Sequence, residues 1–442
     1  MGWLNVVKTW LGQPSEAPVR AGPVPPVPVP QAPEVVATPP ARPACLLRRE
    51  EILDRAGRLA GYRFSVSGEV APEDFLMALR QARVAALAER RLAWIVLAPE
   101  QWPQADWASV VGAHTVFQMA WPTSRDASSQ VLAVARQVRA ARAGLALALE
   151  GAADGVVTLP DTALALATHV ITRLAAGSAQ ERVEQGWQAW RRVQPGLQVA
   201  VQDVGSWSER HLCMAMGAHL ALGDFLGTVD TDDQAPRLNE RRLVLMDMLQ
   251  VLRHDGDVQA LADVAKRDPG VAVHVLSMAN APVYGLQQTV TGLEQALVVL
   301  GRDTLYRWLT IALFKSGEDG ARDAALLEVA LARARFLELV GLVGGSKAQA
   351  DELFLVGLLS FVDSLLGQPL AEVLGDMSLP DAVSQVLLHN EGPYSTHLLL
   401  ALAVERAQAP RVLPLAERLG LSVVLLAQHR SAALAWAEEA AR

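Results

Sequence analysis

The sequence predicts an α/β domain followed by an all-α domain, and three observations carry that reading. From Cys45 to about Thr231, short apolar runs alternate with helix-length segments. The acidic, turn-prone stretch TVDTDDQAP ends the alternation. Beyond it, from about Arg237 to Arg442, one helical pattern follows another without a strand-like run. Strands alternating with helices give a mostly parallel sheet covered by helices. At 442 residues the chain exceeds what a single core usually holds.

The elements follow in order. In MGWLNVVKTWLG, residues Trp3, Val7, Trp10 and Leu11 fall on one stripe, so residues 1–12 are expected to form a short amphipathic helix. Two readings stay open for it: a frayed end, or a piece that docks on a partner or on a membrane surface. Lys8 alone offers weak attraction for anionic lipid. Residues 13–44 are proline-rich, and proline removes backbone donors and forces extended geometry, so this segment is expected to be a semi-rigid tether.

Residues 45–232 are expected to form the first domain. RLAGYRFSV, LAWIVLAP, HTVFQMAW, GLALALE, GVVTLP and LQVAVQDV have strand length, and PEDFLMALRQARVAALAERR and SSQVLAVARQVRAARAG have helical spacing. About six strands in this length predict a small or reduced barrel of the TIM type. Residues 237–442 are expected to form the second, all-helical domain. In it Asp268 is placed to cap a helix that starts at Pro269, and Asp257 to cap the one before.

Composition excludes several function classes. The net charge is −8 and basic residues form no local cluster, so nucleic acid is not an expected partner. Cys45 and Cys213 are the only cysteines, which rules out a disulfide framework and a cysteine zinc site and suits a reducing cytoplasm. No uncharged apolar run reaches the roughly 18 residues a membrane-spanning helix needs.

The doublet His254–Asp255 in VLRHDGDVQA has the residue types to hold a divalent metal, but Gly256 and Asp257 mark a turn, and a solvated loop is expected. LVGGSK lacks the spacing of a phosphate loop and is expected to join two helices. His389, Asn390 and Glu391 form a polar group with His397 nearby, expected as a helix break, with ligand contact by His389 and Glu391 the alternative. Arg302, Arg307 and Trp308 are candidates for a domain interface or ligand contact.

The stretch DVQALADVAKRDPGVAVHVLSMANAPVYGLQQTVTGLEQALVVLGRDTLYRWLT resembles the HDOD domain, an all-helical relative of the HD metal phosphohydrolases. The shared features come in order: Asp268–Pro269, Asn280 ahead of Tyr284–Gly285, and ALVVLG ending at Gly301. One departure is Ala279-Asn280-Ala281-Pro282, where the family usually has an Asn-Ser pair; a changed cap is expected there, not a changed fold. In DELFLVGLLSFVDSLLGQPL, Ser360 and Phe361 stand where a true HD enzyme carries His and Asp. Neither is a useful metal ligand.

The first domain resembles a degenerate EAL domain, the barrel of cyclic-diguanylate phosphodiesterases, in the order found in EAL-HDOD signalling proteins. In EEILDRAGRLAGYRFSV the resemblance puts the first metal-binding glutamate at Arg63. Glu150 and Asp154 are the nearest to the family's Asp-Asp pair, VVTLPD lacks the usual lysine, and Gln202, Asp203 and Val204 replace the late Lys-Val-Glu. MGAHLALGDFLG matches the closing strand and turn, with Leu222 for the usual glutamine. The resemblance implies no catalytic or metal-binding residue and no cofactor. The expected function is that of a bacterial, non-catalytic regulator or scaffold acting through protein partners. The alternative is a sensor that binds cyclic diguanylate, through Arg63 for example, without cleaving it; such binding is not expected.

Overall fold

The computed structural model describes residues 45–122, 124–149, 159–174, 180–229, 239–254, 256–281, 290–317, 320–377 and 379–441. The expected helix at 1–12 and tether at 13–44 lie outside these residues.

Eight strands close into a barrel: β1 (Leu47–Asp54), β2 (Leu59–Val66), β3 (Leu92–Val96), β4 (Thr115–Trp121), β5 (Gly144–Leu149), β6 (His169–Arg173), β7 (Gln198–Gln202) and β8 (Leu220–Leu222). Neighbours from β2 to β8 pair in parallel, and β1 closes the ring antiparallel to both β2 and β8. The barrel is therefore complete, where about six strands were expected. LRREEILD reads as surface because five of its eight residues are charged, yet it is β1. HVITR, which is β6, is short and opens on a histidine. In GVVTLP, Leu159 and Pro160 are not in a strand, and the earlier residues lie outside the described set.

Period-two alternation sorts the side chains. In β5 Leu145, Leu147 and Leu149 face the outer core, and Ala146 and Ala148 face the interior. Small residues suit that interior because Trp94 already fills it, edge-on to the His169 ring at 5.0 Å. Helices such as Pro72–Gln81, Arg125–Ala140 and Gln180–Val193 cover the outside through Phe75, Val131 and Trp187. After β8 the chain turns at Gly223, whose φ of 153° favours glycine and where a Cβ would lie 2.1 Å from the Val204 carbonyl oxygen.

From Glu240 onward every regular element is helical among the described residues. The caps fall where expected: Asp268 accepts from the Gly270 and Val271 amides at 2.7 and 3.1 Å, and Asp257 accepts from Ala260 at 2.7 Å. Asn280, the position of the expected cap change, clamps Val290 with bonds of 2.7 and 2.8 Å to its amide and carbonyl. LVGGSK is the loop between helices Gly320–Gly341 and Lys347–Leu359, with Ser346 as cap. Those two helices pack closely, since a Cβ on Gly357 would stand 2.4 Å from the Ala334 Cα. A buried Arg242–Asp323 pair at 2.7 Å fixes the bundle base.

Candidate functional site

Among the described residues, Glu50, Arg63 and Gln202 form a buried polar group at the barrel mouth. Glu50 and Arg63 are opposite residues of the β1–β2 ladder, and both point inward, so their charges meet. The Arg63 guanidinium donates to Glu50 at 2.7 Å through Nε, reaches the same oxygen at 2.6 Å through Nη2, and donates to Gln202 of β7 at 2.5 Å. Both residues are buried. The arrangement staples β1, β2 and β7 across the mouth. A carboxylate held by a guanidinium has little charge left for a metal.

Other positions expected from the resemblance are scattered. Asp203 pairs with Arg173 at the rim, where both are largely exposed. Leu222 is fully buried inside the barrel. Glu150 and Asp154 lie outside the described residues. Among the described residues, no three His, Cys, Asp or Glu side chains are grouped to hold a metal.

In the bundle, Ser360 ends the Lys347–Leu359 helix, and its hydroxyl donates to the Gly357 carbonyl at 2.7 Å. It accepts from Arg333 at 2.8 Å, and that guanidinium lies over the Phe361 ring at 4.1 Å. Arg333 also makes a fork to Glu405, at 2.9 and 2.7 Å. A fixed cation thus occupies the surroundings of the two HD positions. His254 is the cap of helix Glu240–Arg253, and Asp255 lies outside the described residues.

The remaining candidates do not converge. Arg302 donates to the Leu252 carbonyl, and to Gly256 at 3.0 Å, closing the end of that helix. Arg307 is buried within the bundle, 3.0 Å from both Glu338 and Asp351 and 4.3 Å from the Phe354 ring centre. Burial pushes the Asp351 carboxyl up while Arg307 opposes it. Trp308 is also buried. Arg307 and Trp308 therefore serve the bundle interior, a correction to the domain interface expected of them: their helix, Arg302–Lys315, carries hydrophobic residues on most of its turns. His389 and Glu391 are exposed on either side of Asn390, whose left-handed backbone breaks the helix.

The barrel–bundle joint was not foreseen. Tyr62, the outward neighbour of Arg63, donates its hydroxyl to Glu328 of helix Gly320–Gly341. Arg91 gives Glu328 a two-bond fork at 2.9 and 2.8 Å, and Arg49 stacks on Tyr62 at 3.5 Å. Burial, with Glu328 adding to it, raises the Tyr62 hydroxyl well above the ordinary tyrosine range, so it stays a donor. Arg90 pairs with Glu438 at 2.8 Å, and Phe361 abuts Gly227 of the barrel. The available signal was the alternation of β1 and β2, which sends every second charge outward.

Three comparisons bear on this architecture. The HDOD domain family matches residues 238–373. The cyclic di-GMP phosphodiesterase CdgJ of Vibrio cholerae is 24% identical over 280 residues, covering 57% of this chain and 65% of that protein. The uncharacterized protein YuxH of Bacillus subtilis is 25% identical over 158 residues, 35% of this chain and 38% of that one. The chain thus spans less than two thirds of either relative. Among solved structures, the PaMucR phosphodiesterase in complex with c-di-GMP is 15% identical with a TM-score of 0.33, covering 41% of this chain and 94% of that one. The Bacillus subtilis YkuI protein, with an EAL domain, in complex with c-di-GMP and calcium is 11% identical with a TM-score of 0.32, covering 40% and 53%.

Proposed function

We propose that this chain, a closed barrel followed by an HDOD domain in the EAL-HDOD arrangement, is a non-catalytic regulator in cyclic-diguanylate signalling that works through protein contacts. One observation carries the reading: Arg63 stands at the expected metal-ligand position and is committed to Glu50 and Gln202. Two-metal hydrolysis needs several carboxylates converging on one mouth, to place and ionise the attacking water. Here the buried carboxylate of the mouth is neutralised by a guanidinium. Arg333 supports the same conclusion for the bundle, because a fixed cation beside Ser360 and Phe361 disfavours a second one. The chain's remaining resource is surface, presented by two domains joined through Glu328.

The test is incubation of the full chain with cyclic diguanylate and either magnesium or manganese, with the nucleotide recovered by chromatography. Intact nucleotide after prolonged incubation is expected. Conversion to the linear dinucleotide above a metal-free control sinks the proposal. A second reading, binding without cleavage, draws on Gln118, whose buried side-chain oxygen has no partner among the described residues, and on exposed Arg173 at the rim. Calorimetric titration separates the two: heat with intact nucleotide favours the sensor, and a folded but silent sample favours the scaffold.

A further inference from the structure

A cleft of about 350 Å³ lies between barrel and bundle and borders the barrel mouth at Glu50, with β1 and the turn after β8 on one wall and three bundle helices with Ser360 and Phe361 on the other. That volume falls within the range of small-molecule sites. Its lining is rich in arginine. Arg49 comes from β1, Arg333 from Gly320–Gly341, and Arg430 from Val423–Ala440.

The charges in the cleft do not all cancel. Glu405 is taken up by the two-bond fork from Arg333, and Arg430 stands off from it at 3.8 Å. Arg49 spends its face on the Tyr62 ring. The Nε atoms of Arg49 and Arg430 are buried and have no hydrogen-bond partner among the described residues. A buried donor without an acceptor costs free energy, and more when it is charged. Glu51 lines the same cleft within electrostatic reach of both Arg49 and Arg430, so its carboxylate competes with a bound anion for the two arginines.

We infer that this cleft binds a phosphoryl group carried by a small molecule of nucleotide size, held between Arg49 of the barrel and Arg430 of the bundle. A tetrahedral anion supplies several acceptor oxygens, and guanidinium groups meet it with charge-assisted, directional bonds. Because the arginines belong to different domains, occupancy fastens the barrel to the bundle. The proposed contacts use neither Arg63 nor any hydrolysis, so the site stands or falls apart from the proposed function.

Pyrophosphate is the probe, titrated into the full chain by calorimetry and by thermal unfolding, with sodium chloride at matched ionic strength as control. Saturable binding and a rising unfolding temperature are expected, because a ligand that binds the folded state stabilises it. Arg49→Gln and Arg430→Gln should each weaken binding by about tenfold, the scale of one charge-assisted contact. Glu51→Gln leaves both arginines in place and should strengthen binding, which keeps the test decisive if an arginine variant fails to fold. The inference is overturned if chloride reproduces the stabilisation, if pyrophosphate produces no heat, or if the Glu51→Gln variant binds no tighter.

Discussion

Replacing Arg63 by glutamate restores the residue expected in an active barrel and tests two arguments together. Arg63 and Glu50 approach to 2.6 Å with side-chain exposures of only 10% and 11%. Removing one partner of a buried ion pair costs about 3–5 kcal/mol. Two ionised carboxylates roughly 4 Å apart would add about 4 kcal/mol at an effective dielectric constant of 20, so one of them takes up a proton instead. The expected deficit at pH 7 is therefore about 3–5 kcal/mol. Its sign with pH follows from linkage. The protonated carboxyl of the variant has a folded pKa above its unfolded value, so the folded variant binds the extra proton. The deficit shrinks as pH falls from 7 toward the unfolded carboxylate value, and it grows as pH rises through the raised one. Urea unfolding followed by tryptophan fluorescence at pH 7 and pH 5 measures this, and Trp94, the β3 partner of Arg63, is a reporter inside the barrel. The same protein should release no linear dinucleotide, since one restored carboxylate does not rebuild a two-metal mouth. A variant as stable as the parent would refute the account of the Arg63–Glu50 staple, and hydrolysis would refute the reading of the mouth.

Two further predictions concern the joint and the interior. Tyr62→Phe is expected to cost about 1 kcal/mol and Glu328→Gln about 1–3 kcal/mol, the latter below the fully buried limit because Arg91 keeps 26% side-chain exposure. A double-mutant cycle by urea unfolding should give a coupling of about 1 kcal/mol, and additivity within about 0.3 kcal/mol would show that the two side chains do not share an interaction. Burial drives the His169 pKa down to about 4 from 6.5. Its folded state therefore holds the neutral ring, and stability falls as pH drops from 6.5 toward 4, by up to about 1.4 kcal/mol per pH unit. His169→Gln should flatten that part of the pH–stability curve, and an unchanged slope would assign the acid sensitivity to other groups.

The fold was legible where one period ruled a segment. GLALALE and LQVAVQDV show their strands through small-large or apolar-polar alternation, and Asp268–Pro269 shows a helix start through local capping chemistry alone. The strand LRREEILD was hidden because its charged residues are satisfied by partners outside it: Glu50 meets Arg63, 13 positions on, and Arg49 lies over Tyr62, which itself bonds Glu328, 266 positions further. Pairing over such distances leaves no trace in composition or spacing. Arg63, Ser360 and Phe361 could be singled out because the resemblance defines what should stand there. The partners that give them meaning, Glu50 and Arg333, belong to no motif. Arg307 and Trp308 looked like contact residues for the opposite reason: polar and aromatic groups are enriched at interfaces, but the same groups fill a bundle interior when acids such as Glu338 and Asp351 lie opposite.

The β1–β2 ribbon gives the two candidate surfaces a common mechanical element. Strand geometry sends adjacent residues to opposite faces, so Arg63 enters the mouth while Tyr62 leaves toward Glu328. On β1, Glu50 turns inward to Arg63 while Arg49 turns outward to stack on Tyr62. The mouth and the joint are thus two faces of one pair of strands, separated by a single peptide unit. A shift of Arg63 along its strand must carry Tyr62 with it, because the closed hydrogen-bond ladder does not allow the two to move separately. Hydrolysis would need this ribbon to carry a metal ligand. Regulation needs it only to hold both faces in register, which the Glu50–Arg63 and Tyr62–Glu328 contacts do together.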